Sequence, residues 1–185
     1  KETEAPHGYL LNTDTFTVKV EKDKTTVLSV TDDEPKGNID FQKEIDTSKT
    51  NGLKGDATAE GVTFELHASE KITNQAGTKT YYEKGALVSS KKTDANGKLV
   101  IDSLFMGKYE LKETLTNEGY VLSEKVHQIN LEQKDLTTKE YVITKNVTNI
   151  APHGEIHVQK RDRDTLEDLS GVTFQLTAKE DIYSL

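Results

Sequence analysis

The chain has 185 residues, 33% of them hydrophobic and 30% charged, with a net charge of -8. That length suits one or two domains with a thin core, and the negative charge argues against nucleic acid or an anionic membrane surface as partner. Cysteine and tryptophan are absent, which excludes disulfides and thiol chemistry, and no apolar run is long enough to span a bilayer.

Read in chain order, Phe16 to Val20 alternates as a strand, Lys22-Asp23-Lys24 reads as a hairpin turn, and Thr26 to Asp32 reads as a second strand. Pro35-Lys36-Gly37 closes this unit. Ile39, Phe41 and Lys43 then share one strand face, so a lysine points where apolar residues point. Asp46 to Glu60 is a polar loop with Gly52 and Gly55, followed by a strand over Val62 to Leu66. Ser69 to Ser90 reads as a long insertion, a short helix or an extra hairpin, holding Tyr81-Tyr82 and Ala86-Leu87-Val88. Asp94-Ala95-Asn96-Gly97 has the residue types of a tight hairpin. Leu99 and Ile101 alternate. Tyr109, Leu111 and Glu113 share a face, which places a carboxylate in line with core residues. Val126 to Leu131 alternates more loosely, and Val147 and Asn149 share the last face.

No segment has a helical period. Short strands separated by turns point to an antiparallel β-sandwich. A lysine, a glutamate and an asparagine in core-facing rows are costly unless they meet. The chain is therefore expected to be organised around one buried set: Lys43, Glu113 and Asn149.

The sequence also repeats itself. Gly37-Asn38-Ile39-Asp40-Phe41-Gln42-Lys43 matches Gly154-Glu155-Ile156-His157-Val158-Gln159-Lys160, and Gly61-Val62-Thr63-Phe64-Glu65-Leu66 matches Gly171-Val172-Thr173-Phe174-Gln175-Leu176. Lys1-Glu2-Thr3 with Gly8-Tyr9 matches Lys112-Glu113-Thr114 with Gly119-Tyr120. An offset of 117 positions separates Lys43 from Lys160 and also Asp32 from Asn149. A repeat of this length is a whole domain repeated. Residues 1–36 are thus expected to be the C-terminal part of one domain, 37–152 a complete domain, and 153–185 the N-terminal part of another. With neither a signal peptide nor a sorting signal at its ends, the chain is expected to be a piece of a longer array.

The ordered pattern resembles the Cna B-type (SpaA-type, prealbumin-like) domains of Gram-positive surface adhesins and pilins. It comprises Gly-x-Ile-x-Phe-x-Lys, Gly-Val-Thr-Phe-x-Leu, Asn-Gly-Lys-Leu-x-Ile-x-x-Leu-x-x-Gly-x-Tyr-x-Leu-x-Glu and Gly-Tyr. The resemblance implies an all-β sandwich of the Ig-like/prealbumin-like type, in tandem, on an extracellular, cell-wall-anchored protein. It also implies a spontaneous intramolecular isopeptide bond. Lys43 matches the nucleophile, Glu113 the assisting acid and Asn149 the acceptor. Glu2 and Asp32 match the acid and acceptor of the preceding domain, and Lys160 the nucleophile of the following one. Two departures stand out. Asn117 occupies the place of the usual proline, and Lys145 shares the face row of Val147 and Asn149. The second leaves Asn146, on the opposite face, as a fallback acceptor if the strand bulges.

The chemistry explains the residue types. Burial disfavours a charged amine, which must be neutral to attack an amide, and it likewise disfavours a charged carboxylate, so Glu113 is expected to carry a proton. That acid would donate to the Asn149 carbonyl oxygen and then carry the proton of the attacking amine to the leaving ammonia. Phe41, Phe64 and Tyr109 are the expected apolar wrapping. The bland alternative is a buried, hydrogen-bonded ion pair with an amide and no bond.

The five histidines, His7, His67, His127, His153 and His157, make no metal-ligand spacing, and neither a cofactor nor a metal is expected. Asp32-Asp33-Glu34 and Asp162 to Asp168 lack a regular calcium loop and read as solvated turns. Three functional readings follow. The first is a stalk or pilus-shaft module whose partners are neighbouring repeats. The second is an adhesin module for a host matrix protein or glycan, for which Tyr81-Tyr82 is the surface candidate. The third is an accessory domain of a secreted enzyme. Repetition favours the first, because it supplies length.

Overall fold

In a computed structural model, the described residues are 1–46, 59–117, 120–150 and 154–179. The loop expected over Asp46 to Glu60 lies largely outside them, as do Gly119 and the boundary at residue 152. Among the described residues the chain is all β, with nine strands and no helix. They are β1 (Lys36–Asp46), β2 (Thr63–Ala68), β3 (Ile72–Thr73), β4 (Thr80–Tyr82), β5 (Leu87–Lys92), β6 (Lys98–Leu104), β7 (Gly107–Leu115), β8 (Val126–Leu131) and β9 (Glu140–Ile150).

Two sheets make the sandwich. One has the order β6-β1-β9 and the other β5-β2-β7-β8, with β3-β4 as a separate hairpin. Strict alternation builds the core: β2 buries Phe64, Leu66 and Ala68, and β7 buries Tyr109, Leu111 and Glu113. From the facing sheet come Ile39, Phe41, Leu99, Ile101, Leu104 and Val147. Each of these side chains is at most 7% exposed. The Phe41 and Phe64 rings meet between the sheets with centroids 4.4 Å apart.

Several expectations need correction. The sandwich is not wholly antiparallel: β1 and β9 pair in parallel, in register from Lys36↔Glu140 to Asp46↔Ile150. The chain crosses the entire domain between them, and a parallel pair requires such a long connection. The Ser69–Ser90 insertion is shorter than expected. It forms the extra hairpin β3-β4, and Leu87 onward belongs to β5, which pairs antiparallel with β2. The Asp94–Gly97 turn closes with Gly97 N–H donating to the Asp94 carbonyl at 2.8 Å, but its flanking strands β5 and β6 lie in different sheets. It is a corner and not a simple hairpin.

The strands expected over Phe16 to Val20 and Thr26 to Asp32 are not formed. The turn between them is, with Asp23 at φ +58° and Lys24 N–H donating to the Glu21 carbonyl. Phe16, Val18, Val20, Val27, Leu28 and Val30 are exposed. No facing sheet covers them, so alternation there has no buried side to reward it. The same holds for Ile156, Val158, Phe174 and Leu176 near the other end. The described chain therefore holds one sandwich, and its repeated flanks do not form a second.

Candidate functional site: a buried lysine, glutamate and asparagine

β1 carries Lys43 two residues beyond Phe41, on the face that packs into the core. β9 lies beside it, and Lys43 faces Val147 in register, with Asn149 one pleat further. Both strands belong to one sheet. Glu113 comes from β7 of the other sheet, paired with Phe64 of β2. The carboxylate therefore reaches across the sandwich to the only place where first and last strands lie side by side among the described residues.

The geometry is tight. Lys43 Nζ donates to Glu113 Oε2 at 2.9 Å, and Asn149 Nδ2 donates to Glu113 Oε1 at 2.8 Å. The side chains of Lys43 and Glu113 are 0% and 1% exposed, and Asn149 is 4% exposed. The second hydrogen of the amide points to Thr116 Oγ1 at 3.5 Å. Ser123 N–H lies 3.5 Å from Glu113 Oε1. Loss of hydration holds the Lys43 ammonium below its ordinary value, with the Glu113 hydrogen bond and charge opposing.

The apolar wrapping is supplied in part by the expected rings. Lys43 Nζ sits 5.9 Å from the Phe64 centroid, and Phe64 packs on Phe41. Tyr109 stands four residues before Glu113 on β7, roughly 13 Å along the strand, and its hydroxyl donates to the Phe105 carbonyl. Its place in the wrapping falls to His127, whose half-buried ring meets Phe41 edge-on at 6.4 Å. Burial holds His127 below its ordinary value, assisted by Lys125, Lys145 and Lys43. Thr116 and the contact made by His127 were not legible beforehand, because neither residue stands in a row that breaks the apolar pattern.

The orientation of the amide differs from the expected one. Glu113 faces the amide nitrogen of Asn149 and not its carbonyl oxygen. One carboxylate oxygen thus contacts the amine that must lose a proton, and the other contacts the nitrogen that must gain one. Asn146 is exposed on the outer face, paired in register with Gln42, and Lys145 is half-buried opposite Phe41.

The flanking residues divide. Glu2 Oε2 accepts from Asn12 N–H at 2.6 Å, and loss of hydration followed by the Glu2 charge pushes the Asp32 carboxyl up. These two acids are neighbours. Lys160 is exposed, and no ion pair or hydrogen bond among the described residues joins it to them. Asp162 caps a turn, accepting from Asp164 and Thr165 N–H at 2.9 Å. Tyr81 and Tyr82 are half-buried around Phe105.

Among solved structures, the chain is similar to the Bacillus anthracis TIE protein, with a TM-score of 0.58 and 24% identity over 82% of this chain and 24% of that one. It also matches the major pilin SpaA of Corynebacterium diphtheriae (TM-score 0.45, 21% identity, 62% of this chain and 30% of that one). A third match is the minor pilin of Streptococcus agalactiae (TM-score 0.43, 22% identity, 68% and 49%). The chain thus spans from a quarter to about half the length of these proteins. No curated protein sequence matches it. The family model described as a SpaA prealbumin-like fold domain matches residues 43–146. The chain therefore belongs to the SpaA prealbumin-like fold domain family.

Proposed function

We propose that this chain is a shaft or stalk module of a Gram-positive cell-surface pilin or adhesin, made rigid by an autocatalytic Lys43–Asn149 isopeptide bond. The observation that carries this reading is the bridging carboxylate: Glu113 holds the amine on one oxygen and the amide nitrogen on the other, sealed from water.

The steps balance. A proton passes from Lys43 Nζ to Glu113 Oε2, leaving a neutral amine and a neutral acid. The amine lone pair attacks Asn149 Cγ and forms the new C–N bond. Glu113 protonates the amide nitrogen, the old C–N bond breaks, and ammonia leaves. The attacking nitrogen gives up its remaining excess proton to the carboxylate. Folding supplies the proximity, an effect worth roughly 7–11 kcal/mol of barrier in well-oriented systems. Each molecule reacts once.

In this reading residues 37–152 form the complete module, and residues 1–36 and 153–185 belong to its neighbours in an array on the cell wall. Neighbouring modules are the partners. Membership of the SpaA prealbumin-like fold domain family supports that setting. The ligand-binding alternative rested on Tyr81-Tyr82, and those rings are engaged with Phe105 and Glu34.

The test is the intact mass of the denatured chain. Wild type is expected one ammonia below its sequence mass, and Glu113→Ala is expected at its full sequence mass. A wild-type mass equal to the sequence mass would overturn the covalent reading and leave an ordinary buried network.

A further inference from the structure

The β3-β4 hairpin contributes no residue to the Lys43, Glu113 and Asn149 set. Its tip and its base both face the segment that precedes β1. Tyr81, on β4, donates its hydroxyl to Glu34 Oε2 at 2.7 Å. Gln75, in the β3-β4 turn, brings its N–H to 3.4 Å from Glu34 Oε1. Both oxygens of one carboxylate are therefore held by the hairpin. The Tyr81 ring stacks on Phe105 with centroids 3.4 Å apart and planes 6° from parallel. Lys36 Nζ lies 3.3 Å from the Phe105 centroid on that cluster.

The contact extends beyond Glu34. Leu11 N–H donates to the Leu136 carbonyl across the contact, and within the preceding segment Leu10 N–H donates to the Asp33 carbonyl, both at 2.8 Å. Gln133 Nε2 donates to the Tyr9 carbonyl at 3.0 Å. Leu136 and Gln133 lie in the connection between β8 and β9. Gly8 sits at φ +88°, a conformation that favours glycine, and packs against the Gln75 side chain. Between the two sides runs the short link Asp33-Glu34-Pro35. Pro35 is buried and restricts its own φ and the conformation of Glu34.

We propose that the β3-β4 hairpin and the β8-β9 connection form a joint lock, whose partner is the segment of the chain immediately before the module, residues 5–11 and 33–35. The lock fixes the angle at which one module meets the next. A free link of three residues would let the modules swing, and a rigid shaft requires that they do not. The inference deepens the stalk reading and rests on it for its purpose. The lock itself depends on none of the isopeptide residues.

Hydrogen exchange of backbone amides in the wild-type chain, Tyr81→Phe, Tyr81→Ala and Glu34→Ala tests it. Protection at Leu10 and Leu11 is expected to fall roughly five- to tenfold in Tyr81→Phe and Glu34→Ala, and further in Tyr81→Ala, which also loses the stack. Protection at Ile39 and Phe41 is expected to stay unchanged. Combining Tyr81→Phe with Glu34→Ala is expected to add nothing to Glu34→Ala alone, which already removes both hairpin contacts. Unchanged protection at Leu10 and Leu11 in all variants would overturn the lock. Equal loss at Ile39 and Phe41 would also overturn it, because Tyr81 would then be serving the core of the module. The masses of the same samples report separately on the crosslink, so failure of one reading is distinguishable from failure of the other.

Discussion

Lys43 and Glu113 meet across the sandwich with 2.9 Å between Nζ and Oε2 and with both side chains closed to solvent. Each ion was costly to desolvate, and each is tolerated because the other is there. Removing the carboxylate alone should therefore be severe. Relative to Asn149→Ala, which keeps the pair but has no acceptor, the Glu113→Ala chain is expected to lose about 3–5 kcal/mol of stability. Replacing both partners, as Lys43→Met with Glu113→Leu, is expected to recover most of that loss while never maturing. Urea unfolding of the three variants measures it. Equal midpoints for Glu113→Ala and Asn149→Ala would show that the pair contributes nothing.

The buried amine also gives stability a pH dependence. In Asn149→Ala the amine is not consumed. Loss of hydration holds Lys43 below 10.5 in the folded state, so between its folded and ordinary values the unfolded chain binds more protons. Unfolding free energy then rises with pH through that window, which ends at the ordinary lysine value. His127, held below 6.5, gives its gain at lower pH. Tyr109, pushed up by burial, begins to oppose only above 10. The urea midpoint of Asn149→Ala is thus expected to climb as the pH rises toward the ordinary lysine value. A flat or falling midpoint would mean that the folded protein does not disfavour the charged amine.

The buried set was legible because each member interrupts an alternating apolar row: Lys43 after Phe41, Glu113 after Leu111, Asn149 after Val147. Period two fixes which face a residue takes, and burial then follows for the whole row. Pairing was harder to read. Nothing in β1 or β9 alone says that they run parallel, since direction depends on the path of everything between them. The Phe16 and Thr26 segments differ from β2 in what lies beside them. The alternation of Phe16, Val18 and Val20 is as clean as that of β2, yet the apolar residues of both segments stand exposed. Alternation reports what a segment needs to cover it, and it does not supply the cover. Thr116 and His127 went unread because they contact the set from positions with no pattern of their own.

Gly97 places the reactive strand. Its φ is +73°, and a Cβ would fall 2.3 Å from the Lys43 carbonyl oxygen and 2.9 Å from the Ala59 Cβ. The Lys43 N–H in turn donates to the Gly97 carbonyl at 2.8 Å. Gly97→Ala therefore forces β1 to shift at Lys43 itself, in addition to the backbone strain of about 1–2 kcal/mol for a left-handed non-glycine residue. The variant is expected to be less stable and to show a mixture of reacted and unreacted masses. Complete ammonia loss with undiminished stability would show that the corner does not position the lysine.

The placement of the bond sets the mechanical response. In an array, load enters at the start of β1 and leaves at the end of β9, and these strands lie side by side. A Lys43–Asn149 bond carries the load from one to the other. The residues between them, about 105 in number, then form a closed loop that tension does not reach. Without the bond, the parallel β1-β9 pair is sheared, and once it yields that loop joins the tether, adding roughly 350 Å of extended chain. Single-molecule stretching from residues 36 and 150 is therefore expected to show no such step for wild type and one step of that length for Glu113→Ala. The crosslink also restricts the unfolded chain, and for a loop of this size the entropic model gives about 4–5 kcal/mol. A full-length step in wild type whose mass shows ammonia loss would mean that the bond lies elsewhere in the chain.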